Sequence, residues 1–240
     1  MLGLILCRGL SFRGPGAYNR QLAFDQQTID DQLKATETHI KLVDYMEKLG
    51  HEIHVAFDTV ACDHTKLIFD AFGERIKFYN VKNVFDANVH FSLHRAVRFI
   101  ETPMCIFEYD FLLILRNDMF LKDEFIEKFN PYDDKIMFPS LQWHQARKTP
   151  NGNPRINDCM FFIPRKYFQL IYHFPSEVGF DHHDILDNWL EIQPTIPYDF
   201  YVRGFHNADT ATEKHPLYYL INRPEAEEIG SPDLKYPDDF

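Results

Sequence analysis

The chain has 240 residues and 28.5 kDa, enough for one large domain with a sizeable core or two small ones. Apolar residues at 45% and charged residues at 25% are ordinary for a folded globular protein, and 15% aromatics, with 23 Phe and 12 Tyr, exclude disorder over most of the length. Lys and Arg number 25 against 36 Asp and Glu, and the resulting net charge of −11 argues against a general binder of nucleic acid or of anionic membranes.

The run LGLILC (2–7) is continuously apolar and gives way to CRGLSFRGPG, which predicts a buried first strand followed by a loop. Thr28 with Asp31 forms an imperfect capping box for a helix through Leu49, where Leu42, Met46 and Leu49 keep helical spacing and Gly50 stops it. HEIHVAFD (51–58) reads as a second strand ending near Asp58, His64–Phe72 as a helix, RIKFYNV (75–81) as a third strand and Asn88–Ile100 as another helix. FEYDFLLILRNDMF (107–120) is a strongly apolar strand that runs into Arg116, Asn117 and Asp118. A short helix over Asp123–Phe129, a strand in DKIMFPSLQW (134–143), and a strand then a helix from about Pro164 in RINDCMFFIPRKYFQLIYHF (155–174) follow. One more helix spans Asp181–Ile192, a strand is possible around Phe200–Gly204, and the Pro- and acid-rich end reads as a solvated tail.

Strands alternating with helices predict an α/β domain on a mostly parallel sheet, and no linker or internal repeat divides it. Ligands of such folds sit beyond the carboxyl ends of the strands, so the polar residues after each strand are the ones to inspect. Cys7, Cys62, Cys105 and Cys159 show no CxxC spacing and read as reduced thiols. The run Met1–Cys7 is too short for a signal peptide, and no apolar stretch approaches the ~20 residues that cross a bilayer. A soluble, cytoplasmic protein without a transmembrane segment is the expectation.

Arg116-Asn117-Asp118 is the strongest local signal. An aspartate just past a buried strand can hold Mg²⁺ or Mn²⁺ bridging a diphosphate, and Arg116 can instead grip phosphate oxygens with two parallel hydrogen bonds. The alternative is a strand-end turn whose aspartate caps the next segment. In DHHD (181–184), neighbouring side chains on a helix diverge too far for all four to bind one ion. Asp181 is then an N-cap with Asp184 in the first turn, or one of the two is a catalytic base. Trp143 and His144 follow a strand and suit stacking on a sugar or base, although a buried Trp is the blander reading. Gly14-Pro15-Gly16 matches no phosphate-loop pattern.

VFDAN (84–88), YDFLLILRNDMFLKDEF (109–125) and INDCMFFIPRKYF (156–168) together resemble the nucleotide-sugar-dependent glycosyltransferases of GT-A fold. The likeness is to small polysaccharide-type enzymes with an R-x-D version of the D-x-D motif, of the kind encoded by large algal viruses. ETHIKLVDYMEKLG (37–50), EIHVAFDT (52–59) and HNADTATEKHPLYYLINRPE (206–225) are similar to further parts of that group, so the resemblance covers about residues 1–224, with 225–240 left as an acidic tail. It implies a single GT-A-like domain, a nucleoside-diphosphate sugar donor, a glycan or glycoconjugate acceptor and no nucleic-acid partner. Asp118 would contact Mn²⁺ or Mg²⁺, although Arg116 stands where the first Asp of the motif would be. Arg8, Arg13, Asp58, Thr59, Arg116 and Asn117 would face the nucleotide. Asp158 would lie by the sugar or acceptor as a general base, unless it only makes an Asx-type turn. The group's metal shell often includes a C-terminal histidine, for which His206 is preferred over His215. The competing readings are a metal-dependent phosphoesterase, suggested by DHH, and a non-catalytic sugar-binding module.

Charge is uneven along the chain. Residues 224–240 hold six acids and one Lys, whereas 142–170 hold five Lys and Arg and one acid, Asp158. A positive segment among the candidate site loops suits an anionic ligand.

Overall fold

A computed structural model of the chain describes residues 1–14, 22–82, 92–101, 106–142, 149–174, 182–202, 205–206 and 217–220, of which 92, 94, 101, 142, 182, 205 and 206 are described for the backbone alone. The chain runs β1 (Leu2–Arg8), α1 (Gln26–Lys48), β2 (Glu52–Val60), α2 (Thr65–Phe72), β3 (Ile76–Lys82), α3 (Ser92–Glu101), β4 (Phe111–Arg116), β5 (Met119–Leu121) and α4 (Asp123–Lys128). It continues through β6 (Ile136–Phe138), β7 (Leu141–Gln142), β8 (Met160–Pro164), α5 (Ile185–Ile192), β9 (Tyr198–Phe200), β10 (Phe205–His206) and β11 (Tyr218–Leu220).

Seven strands form one sheet in the order β3-β2-β1-β4-β8-β6-β9. All of its pairings are parallel except those of β8, which runs antiparallel to β4 and β6. The architecture is therefore α/β with a mostly parallel central sheet flanked by helices. β5 pairs antiparallel with β11, and β7 parallel with β10, as separate two-stranded ribbons.

β1 and β4 read as unbroken apolar runs because both faces of the sheet are covered. Ile5, Cys7, Phe111, Leu113 and Leu115 point into one core with Leu42, Val43 and Met46 of α1. Leu4, Leu6, Leu112 and Ile114 point into the other with Ala96, Val97 and Trp189 of α3 and α5. Gly3 is the register partner of Phe111, and a Cβ built on it would meet that ring at 2.2 Å. The Gly3→Ala variant is therefore expected to lose about 1–3 kcal/mol of stability through overpacking. Urea denaturation measures this directly, and an unchanged midpoint would contradict the packing described.

Several boundaries differ from expectation. α1 is capped by Asp25, whose carboxylate accepts from the Thr28 backbone N–H at 3.0 Å and from its hydroxyl at 2.9 Å, so Thr28 is inside the helix and no Thr28–Asp31 box starts it. Gly50, with φ +86°, follows the helix end as expected. The segment 134–143 is broken into β6 and β7 at Pro139, which has no N–H for the ladder. Arg165–His173 forms a 3-10 helix in place of the expected α-helix. In 182–192 only Ile185–Ile192 is α-helical, after a single 3-10 turn at His182–Asp184. The strand expected around 200–204 lies at Tyr198–Phe200. No described helix is long and apolar enough to cross a membrane.

Candidate functional site

Chain order reverses at β1, whose neighbours in the sheet are β2 on one side and β4 on the other. In open α/β sheets the crevice outside the carboxyl ends at such a switch point is where ligands bind. Arg8, the last residue of β1, is in register with Asp58 of β2 and with Arg116, the last residue of β4. Two guanidinium groups thus stand side by side at the switch point.

Buried like charges of this kind require counter-charges. Arg116 donates from Nε to Asp118 Oδ1 and from Nη2 to Asp118 Oδ2, each at 2.8 Å, a two-pronged pairing that matches a planar fork to a carboxylate. Arg13 Nη1 lies 3.9 Å from Asp118 Oδ2. Arg8 Nη2 lies 3.6 Å from Asp158 Oδ2 and also donates to the Asp158 backbone carbonyl. Burial pushes the Arg8 guanidinium down from its usual value and Arg116 adds to this, with Asp158 opposing. For Arg116, burial acts downward, but Asp118, Cys159 and Asp158 together outweigh it, and the group is held well above its usual value. Among the described residues the cluster holds three guanidinium groups and two carboxylates, a local excess of positive charge inside an acidic protein.

The buried face of α1 fixes the turn that carries Asn117 and Asp118. The Gln32 amide donates to Asn117 O at 2.8 Å and accepts from Phe12 N at 3.0 Å, tying the loops after β1 and β4 together. Asn117 N donates to Arg8 O and its Nδ2 to Gly9 O, both at 2.8 Å. Thr38 Oγ1 accepts from Leu121 N at 3.0 Å. His39 Nε2 lies 2.7 Å from Met119 O, and since a carbonyl only accepts, Nε2 carries the proton. Gln32 and His39 are supporting residues that reading the sequence missed. Their signal is a run of polar residues at helical spacing on an otherwise apolar stripe: Gln32, Thr36 and His39 beside Ala35, Val43 and Met46.

Asp58 and Thr59 are fully buried and act as supports. Asp58 accepts from Asn80 Nδ2 at 2.6 Å and from Arg95 Nη2 at 2.8 Å, while Thr59 Oγ1 shares a 3.0 Å hydrogen bond with Ser11 Oγ. Burial raises the Asp58 carboxyl above its ordinary range, and Arg95 and Asn80 work against that. The structure therefore turns these two residues toward α3, β3 and the loop after β1. Arg8, Arg13, Arg116, Asp118 and Asp158 are the expected site residues that it brings together.

Asp158 precedes β8, and the Asx turn there is made by Asn157, whose Oδ1 accepts from Cys159 N at 3.0 Å. Asp184 occupies the cap position of α5 but makes no capping bond, since its carboxylate accepts from Arg155 Nη1 at 2.7 Å. His183 Nδ1 donates to Ile156 O at 2.7 Å. The second half of the DHHD segment thus fastens α5 to the 155–157 stretch. Asp181, Trp143, His144, His215, Pro15 and Gly16 lie outside the described residues, as does 225–240. His206 is described for its backbone alone, paired with Gln142.

The fit to a divalent metal is poor. Both oxygens of Asp118, the expected ligand, are engaged by Arg116. Among the described residues, no three His, Cys, Asp or Glu side chains are grouped to hold an ion. The residues described here do not form the Mn²⁺ or Mg²⁺ site expected at Asp118. Their clustered guanidinium groups are of the kind that pair with phosphate oxygens.

No protein-family model matches the chain, and no curated protein does. Solved structures of similar architecture include a glycosyltransferase involved in glycosylation of the major capsid of PBCV-1, with 11% identity, 83% of this chain and 80% of that one covered, and a TM-score of 0.43. The catalytic domain of Drosophila β1,4-galactosyltransferase 7 in complex with xylobiose has 8% identity, coverage of 92% and 70%, and a TM-score of 0.41. The inositol-1-phosphate CTP transferase of T. maritima has 10% identity, coverage of 83% and 84%, and a TM-score of 0.45. With identities and TM-scores this low, none of the three bears on the chemistry.

Proposed function

We propose that this protein is a glycosyltransferase that moves a sugar from a nucleoside-diphosphate sugar, UDP- or GDP-linked, to a hydroxyl of a glycan. The observation that carries this reading is the convergence of Arg8, Arg13 and Arg116 at the β1/β4 switch point. In sugar transfer the bond from the anomeric carbon to the diphosphate oxygen breaks, and negative charge grows on the departing diphosphate. Guanidinium groups already held in place meet that charge without reorganising, which is the most effective form of electrostatic stabilisation. The acceptor hydroxyl forms the new bond to the anomeric carbon and gives up its proton.

In this reading Asp158 takes that proton. Its carboxylate is partly exposed and is held against the arginine cluster by Arg8, so a base and the leaving-group site adjoin. Asp158→Asn is expected to lower kcat by about 10²–10⁴-fold, the usual worth of a general base. Steady-state kinetics on both substrates checks this. An unchanged kcat would remove the role and point to a retaining reaction that needs no such base.

The function itself is tested by offering UDP- and GDP-sugars and measuring release of the nucleoside diphosphate, with and without glycan acceptors. Release from at least one donor is expected. Cleavage of phosphodiesters without nucleotide-sugar binding would favour the phosphoesterase reading, and donor binding without turnover a sugar-binding module.

A further inference from the structure

We propose that Asp118 is an internal counter-ion of the arginine cluster: it fills the Arg116 fork in the free protein and yields it to the diphosphate of the donor, so that anion binding here needs no metal. The identity of the anion rests on the glycosyltransferase reading, whereas the exchange itself rests on the geometry.

The Nε–Nη2 edge of Arg116 presents two parallel N–H donors, and both are used on the two oxygens of one carboxylate at 2.8 Å. A phosphate group offers a similar pair of oxygens, so carboxylate and phosphate compete for that edge. Arg116 ends β4 and Asp118 lies in the two-residue turn before β5, so a movement of the Asp118 side chain leaves the sheet undisturbed. The turn backbone is separately fixed, through Asn117 to Arg8 O and Gly9 O and through Gln32 to Asn117 O, so Arg116 stays aimed at the site when its partner leaves.

Charge supports the same direction. Among the described residues, three guanidinium groups meet at the two carboxylates Asp118 and Asp158. A diphosphate carries more negative charge than the carboxylate it displaces, and Arg13, 3.9 Å from Asp118 Oδ2, is placed to share it. Asp118 then does the opposite of what a metal ligand does. It lowers the resting affinity for anions and keeps the cluster folded when no donor is present.

The two roles predict opposite effects of Asp118→Asn. As a counter-ion, Asp118 competes with the ligand, so the variant should bind inorganic pyrophosphate about tenfold more tightly or better in EDTA, as expected on removing one charge from a partly buried site. Titration calorimetry with pyrophosphate and with UDP, in EDTA and in Mn²⁺, reads this on protein whose fold is checked by thermal denaturation. Wild-type affinity should be the same in EDTA as in Mn²⁺ once complexation of the free ligand is allowed for, and Arg116→Gln should lose most of it. Wild-type binding that appears only with Mn²⁺ overturns the proposal whether or not Asp118→Asn folds. So does folded Asp118→Asn that binds no better than wild type. Pyrophosphate results as expected, with no nucleotide sugar bound or turned over, would leave the counter-ion in place and remove the glycosyltransferase reading.

Discussion

Replacing Arg116 with lysine is expected to lower kcat/KM for sugar transfer by about 10²-fold or more, although the positive charge is kept. Lysine offers a mobile point charge where arginine offers a planar fork, and the fork is what meets two phosphate oxygens at once. Arg116→Ala goes further by leaving the buried Asp118 carboxylate without its two-pronged partner, and should also cost about 3–5 kcal/mol of stability. Kinetics on Arg116→Lys together with chemical denaturation of both variants separates the catalytic from the structural share. Wild-type activity in a folded Arg116→Lys protein would mean that the departing charge is met elsewhere.

The second large effect is on acid stability. His39 is buried under the turn that holds Asp118, and burial lowers it from 6.5 to about 4, with the Met119 carbonyl and Asp118 opposing. The unfolded chain keeps the ordinary value, so as pH falls below 6.5 it takes up a proton that the folded protein refuses. Stability from this group is therefore whole above pH 6.5 and lost as pH falls through about 4. The shift corresponds to about 3 kcal/mol. Urea denaturation as a function of pH should show this slope in the wild type and a flatter one in His39→Gln, whose amide can still donate to Met119 O. An identical slope in the variant would place the acid sensitivity elsewhere.

How much of this was legible in the sequence depends on the range of the interactions involved. β1, β4 and α1 were readable because burial on both faces of a strand, or along one stripe of a helix, leaves a pattern within a dozen residues. β2 runs two residues past Asp58, to Val60, because the polar pair Asp58-Thr59 is satisfied inside the protein by Arg95, Asn80 and Ser11, all remote in sequence. The candidate site divides in the same way. Arg116 and Asp118 are neighbours in the chain, and their importance could be read directly. Arg8 and Arg116 lie more than a hundred residues apart and meet through the parallel pairing of β1 with β4, which no local pattern encodes. The pairing at Asp118 is local, since the arginine two positions earlier takes both carboxylate oxygens, whereas the side chain of His206, the other expected metal ligand, lies outside the described residues. In DHHD, the bonds of His183 and Asp184 to the 155–157 segment depend on a tertiary contact and were equally out of reach.

In the glycosyltransferase reading, the carboxyl ends of β1 and β4 receive the diphosphate of a nucleotide sugar. A crystal structure of the protein soaked with a donor sugar that it turns over tests this most directly. Phosphate oxygens are expected on the Arg116 and Arg8 guanidinium groups, with Asp118 moved off the Arg116 fork and Asp158 beside the anomeric carbon. A donor bound at any other edge of the sheet, with the Arg116–Asp118 pair intact, would contradict it.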